Sequence, residues 1–178
     1  FSRTALGILS LSKFGWPARK AEFDRRIERA VTWLRSTPPA STEDRNMQLL
    51  GVLWSRADKR TVTGLAKKLI AMQRREGGWA QTPYLESDAY ATGQTLYALH
   101  EAGIPASHAA CRRGADYLLR TQLGDGSWRV VSRSPKFQPY FESGFPHGHD
   151  QWISATATAW AATALSQSSG GRTLRSAR

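Results

Sequence analysis

The sequence predicts an all-α domain whose helices form two concentric layers. Helical stretches with no charged residue alternate strictly with stretches dense in charge. Apolar residues of the charged stretches recur every three or four positions, the period of one helix face. Related segments also repeat along the chain, and none of them has the alternation of a strand. A helix that shows water one face keeps its charges there, so a helix without charge is expected to be buried all round. Strict alternation then means hairpins with one helix inside and one outside.

Taken in order, Thr4–Ser12 (TALGILSLS) is uncharged and inner. Ala18–Arg35 is charged and outer, with Phe23, Ile27, Ala30, Val31 and Leu34 on its apolar face. Asn46–Ser55 is inner, preceded by Ser41-Thr42-Glu43-Asp44, which has the composition of a capped helix start. Lys59–Arg75 is outer, with Val62, Leu65, Leu69 and Met72 facing in. Ala89–His100 is inner and can be capped by Ser87 or Asp88. Ser107–Arg120 is outer, with Cys111, Ala115, Leu118 and Leu119 facing in. Gln151–Ser169 is inner, and its alanines let a neighbouring helix approach closely. Gly15-Trp16-Pro17 and Gly103-Ile104-Pro105 each stop an inner helix.

The 178 residues suffice for a real core, since a chain of this size removes roughly 70% of its unfolded surface from water. With 40% hydrophobic and 22% charged residues the chain reads as globular rather than disordered. One Cys excludes a disulfide framework and an all-Cys zinc site. No stretch reaches the ~18 apolar residues of a membrane span. The chain opens on Phe1 without a signal-peptide pattern, so a piece of a longer protein is expected. The net charge of +11 is spread over Arg19–Arg35, Arg56–Arg75, Arg112–Arg133 and the tail Arg172–Arg178. This pattern fits a solvated outer face first and an anionic membrane surface second. It lacks any nucleic-acid-binding signature, so nucleic acid is not an expected partner.

The repeats sharpen the architecture. Thr4–Pro17 superposes without gaps on Thr92–Pro105, and Asp88–Leu99 on Ser154–Leu165. Arg29-Ala30-x-x-Trp33-Leu34 corresponds to Arg113-Gly114-x-x-Tyr117-Leu118. Gln73-x3-Gly77-x-Trp79 corresponds to Gln122-x3-Gly126-x-Trp128, while Pro38-Pro39 marks a degenerate first copy. The run from Arg113 to Trp128 resembles the QW motif of the prenyltransferase/squalene oxidase repeat family, which includes squalene-hopene cyclases and protein prenyltransferase β subunits. That resemblance implies an α/α toroid around a central cavity. Residues 1–169 would supply about three and a half hairpins of it, the C-terminal half of a barrel, followed by a basic disordered tail over 170–178. It also implies that Gln73, Trp79, Gln122 and Trp128 are structural staples, and that the upstream half of the same chain is a partner.

The implied chemistry is that of a polyprenyl ligand in the cavity. Cyclases of this family protonate an alkene with the middle Asp of D-x-D-D-T. Asp88-Ala89-Tyr90-Ala91-Thr92 falls in that register, but Tyr90 and Ala91 stand where two Asp are needed. A phenol of ordinary pKa cannot protonate an olefin. Asp88 is thus read as an N-cap or a catalytic acid. Cys111 does not fit the zinc site of a prenyltransferase and reads as core.

The longest connection, Arg129–Asp150, is rich in aromatics and leads into an inner helix, so it is expected to cover one mouth of the cavity. Glu142, His147, His149 and Asp150 are its candidate catalytic residues, beside Asp88. Tyr90, Phe137, Tyr140, Phe141, Phe145, Trp152 and Trp160 are the candidate contacts to an apolar isoprenoid-like ligand. A very similar stretch over 137–154 occurs in bacterial members of the repeat class. No cofactor is expected, a metal at His147/His149/Asp150 being the alternative. Three readings follow: an enzyme or half-enzyme on a polyprenyl substrate, a binding module for a ligand or a protein, and a metal-dependent site.

Overall fold

Side-chain caps set where the helices begin. In the computed structural model, which describes residues 1–135 and 139–169, seven helices pack together and no strand occurs among the described residues. They are α1 (Ser2–Phe14), α2 (Lys20–Ser36), α3 (Thr42–Trp54), α4 (Lys59–Ala71), α5 (Ala89–Glu101), α6 (Ala109–Thr121) and α7 (Gln151–Ser169). Ser41 opens α3 with a reciprocal capping box: its Oγ accepts from the Asp44 N–H, and the Asp44 carboxylate accepts from the Ser41 N–H. Asp58 caps α4 and Asp88 caps α5. At α6 the cap is His108, whose Nδ1 accepts from the Ala110 N–H. Of the two Gly-Pro stops, Gly103 takes the left-handed conformation at φ +82°. Gly15 stays extended, and any side chain there would run into the Leu11 carbonyl and Phe23.

The layering follows the charge pattern. The helices α1, α3, α5 and α7, each built around an uncharged stretch with any charges at its ends, pack in a row in chain order, each against the next. The charged helices lie outside this row, α2 on α1 and α3, α4 on α3, and α6 on α5 and α7. Small residues set the spacing within the row. A Cβ placed on Gly93 of α5 would stand 2.7 Å from the Ala161 nitrogen of α7, and one on Gly51 would meet Ala5 of α1 at 3.1 Å. A buried amide completes the α3–α5 contact, with Asn46 Nδ2 donating to Gln94 Oε1 (3.0 Å) and Thr95 Oγ1 (3.1 Å).

Two expectations need correction. Freedom from charge does not mean burial all round: α3 and α5 are buried almost completely, whereas α1 and α7 leave Leu6, Thr156, Ala159 and Thr163 exposed. The flanking helices have an inner neighbour on one side only. On α6 the inward stripe runs through Cys111, Gly114, Tyr117 and Leu118, and Leu119 is 58% exposed. The Tyr117 hydroxyl donates to the Ser87 carbonyl at 2.6 Å, which turns that ring inward in place of Leu119.

The Gln–Trp repeats occupy equivalent places. Trp79 and Trp128 are buried, and their indole N–H groups donate to the carbonyls of Leu69 and Leu118 at the ends of the outer helices. Their backbone N–H groups donate to the hydroxyls of Thr92 on α5 and Thr158 on α7. Each Trp therefore ties an outer helix end to the next inner helix. Gln73 adds a tie between outer helices, donating to the Ala110 carbonyl of α6 and accepting from Arg113. No helix is long and apolar enough to cross a membrane among the described residues. Phe137 and the 170–178 tail lie outside those residues. Trp128→Ala should cost about 3–5 kcal/mol in a denaturant melt, since it empties a buried site and removes the indole hydrogen bond to the Leu118 carbonyl.

Candidate functional site

The N-terminal ends of the inner helices lie together and form a polar floor. Glu43 in the first turn of α3 accepts from the Ser2 hydroxyl of α1 (2.7 Å) and the Tyr90 hydroxyl of α5 (2.9 Å). Burial, with the Glu43 carboxylate beside it, pushes the Tyr90 phenol far above its ordinary range, so it stays protonated and donates. Asp88 accepts from the Ala91 N–H at 2.8 Å and from Gln81 Nε2 at 2.7 Å. Burial raises its carboxyl, although these hydrogen bonds and Arg133 pull the other way. Of the two readings for Asp88 the geometry gives the N-cap. Tyr97, one face-repeat beyond Tyr90, sets its ring 5.2 Å from that of Trp160 on α7.

Beside this floor the segment over 139–150 is fastened to the start of α7 by one buried amide. Gln151 Oε1 accepts from the N–H and hydroxyl of Ser143, and its Nε2 donates to the Tyr140 hydroxyl (3.0 Å) and the Phe141 carbonyl (3.2 Å). Asp150 makes a second clasp, accepting from Arg129 Nε (3.0 Å) and the Ser132 N–H (2.8 Å). The Ser132 bond, followed by Arg129, holds the Asp150 carboxyl below the usual carboxylate range. Glu142 is exposed and likewise lowered, first by the Tyr140 hydroxyl that donates to it and then by the Gly144 N–H. Neither carboxylate is held protonated for acid catalysis.

The histidines point to different partners. His147, in the left-handed region at φ +86°, places Nε2 2.7 Å from Ser127 Oγ. Ser127 also lies 2.7 Å from Asp125 Oδ1. An ionised carboxylate only accepts, so the single hydroxyl proton serves Asp125 and His147 donates. Asp125 therefore holds the hydroxyl instead of orienting the imidazole, and this trio is a loop tie rather than an activated nucleophile. His149 meets the Tyr140 ring edge-on at 4.6 Å. With Asp150 turned to Arg129, the His147/His149/Asp150 set does not assemble, and no group of metal-ligating side chains occurs among the described residues.

The structure thus gathers Tyr140, Phe141, Glu142, His149, Asp150 and Trp152 near Gln151, while the Phe145 ring meets His147 edge-on. Phe141 and Trp152 stack at 6.2 Å and are 70% and 56% exposed, an aromatic surface open to solvent. Asp88, Tyr90 and Trp160 belong to the helical floor. Two open grooves of about 570 and 530 Å³ lie among α1–α4, and neither is lined by the predicted ligand residues. Sequence reading missed Gln151, Glu43, Ser127 and Tyr97. Gln151 had one available signal, an amide at the start of an inner helix that no repeat shares.

Asp88→Asn keeps the cap, while Asp88→Ala should lose about 0.5–2 kcal/mol. Because burial raises the Asp88 carboxyl, wild-type stability is fuller below the ordinary carboxylate range and falls as pH rises through the folded value. The melting temperature of Asp88→Asn relative to wild type should therefore climb with pH over that interval. Gln151→Leu should release the 139–149 segment, read as faster proteolytic cleavage there with helix content retained. Compared with known proteins, the chain matches no protein-family model and no curated protein.

Proposed function

We propose that the chain is an isoprenoid-binding segment of an α/α toroid of the prenyltransferase/squalene oxidase repeat class, and that it holds its apolar ligand rather than protonating it. The observation that carries this reading is the repeated tryptophan staple over a row of inner helices with uncharged central turns. The same donors and acceptors recur 49 residues apart in separate hairpins, which is what a ring of equivalent units requires. The exposed face of α7 carries no charge and that of α1 exposes Leu6 and Phe14 beside Arg3 and Lys13, apolar area that suits further helices on either side, the upstream half of a longer chain being the partner for α1. The solvent-open Phe141–Trp152 stack, pinned at one end of the inner row, supplies aromatic faces to an apolar chain. Binding is favoured over acid-initiated cyclisation because Asp88 is engaged as a cap and Tyr90 holds its proton.

Lipid extraction of the purified protein followed by mass spectrometry should find an isoprenoid, and farnesol added in mild detergent should raise the melting temperature. The double variant Phe141→Ala/Trp152→Ala should lose that rise while its unliganded melting temperature stays near wild type. Absence of both co-purified lipid and a thermal shift would end this reading.

A further inference from the structure

On the outer layer, away from the aromatic surface, the groove of about 570 Å³ between the end of α2 and α4 is lined by Arg35, Arg45, Arg60 and Lys68. These cations come from three helices and face one concavity instead of forming a flat stripe. No carboxylate lines it, and none comes within ion-pair distance of the four among the described residues. Asp58 lies within electrostatic reach of Arg35, but its two oxygens are taken by the N–H and hydroxyl of Thr61.

The placement of two of these charges runs against helix electrostatics. Arg60 stands in the first turn of α4, behind Lys59, and Arg45 stands early in α3. The helix dipole disfavours cations at an N-terminus, so these positions stabilise neither helix. A local rule broken without a structural gain marks a site that serves something else. At the groove Gly64 leaves open space, since a Cβ there would meet nothing within 4 Å. Three guanidinium forks and an ammonium around an open cleft match the oxygens of a multiply charged phosphate group.

We propose that this outer groove binds a phosphate-bearing polyanion through Arg35, Arg45, Arg60 and Lys68. The proposal stands apart from the isoprenoid reading, because it uses neither the Phe141–Trp152 stack nor the tryptophan staples. Calorimetric titration with inorganic tripolyphosphate at low ionic strength should give saturable binding at one site per chain. Arg60→Gln/Lys68→Gln should weaken it by about tenfold or more. Lys13→Gln/Lys67→Gln, which removes the same charge elsewhere, should bind like wild type. Gly64→Leu, which keeps all four cations and fills the open space, should also weaken binding. Competition by phosphatidylcholine vesicles containing phosphatidic acid would assign the phosphate to a lipid headgroup; failure to compete would assign it to a soluble compound. No saturable binding, equal loss in the two charge-removing pairs, or wild-type affinity in Gly64→Leu would overturn the proposal.

Discussion

The outer helices α4 and α6 each end where a tryptophan turns back on the last turn, and the remaining packing depends on those junctions. The indole of Trp79 reaches the Leu69 carbonyl, and its own peptide N–H is delivered to Thr92 on the following inner helix. One residue thereby gives a last-turn carbonyl a second donor, beside the Met72 N–H, and fixes the entry to the next hairpin. Trp128 repeats the arrangement with Leu118 and Thr158. Because both rings are buried, these polar groups have no water to fall back on, and losing either tie costs desolvation as well as packing.

With the junctions fixed, the inner row closes on small side chains. Gly51 against Ala5 and Gly93 against Ala161 bring backbones within reach of one another, and larger residues would push the row apart. Absence of charge from the central turns of these helices is a condition of that approach, since an ion there would be desolvated without a partner. Most cations stand on the outer helices, where α2 balances part of its charge in pairs such as Arg26–Glu22 and Lys20–Asp24. Such exposed pairs contribute little to stability. Their absence around the α2–α4 groove matters more, because it leaves a concentrated positive field there.

The candidate site joins two kinds of support. Its floor is rigid, made of helix starts whose polar groups are satisfied by Glu43, Asp88 and Tyr90. Its cover is a connection held by the amide of Gln151 and the Arg129–Asp150 pair. Carboxylates that sequence reading offered for proton transfer turn out to be occupied as caps and clasps. What remains uncommitted there is aromatic area, the exposed faces of Phe141 and Trp152.

The amino-acid sequence by itself determined the all-α class, the order of inner and outer helices and the capped start at Ser41. These follow from periodicity, charge and local hydrogen bonding, all of which act over a few neighbouring residues. Only the tertiary structure decided that Asp88 caps, that Asp150 pairs with Arg129, that His147 and His149 part company, and that Tyr117 displaces Leu119 from the inward stripe. Each of those outcomes depends on a partner 3 to 30 residues away whose direction the chain order leaves open. A polar side chain commits to whichever donor or acceptor the packed helices bring within about 3 Å, and that choice exists only once the row has formed.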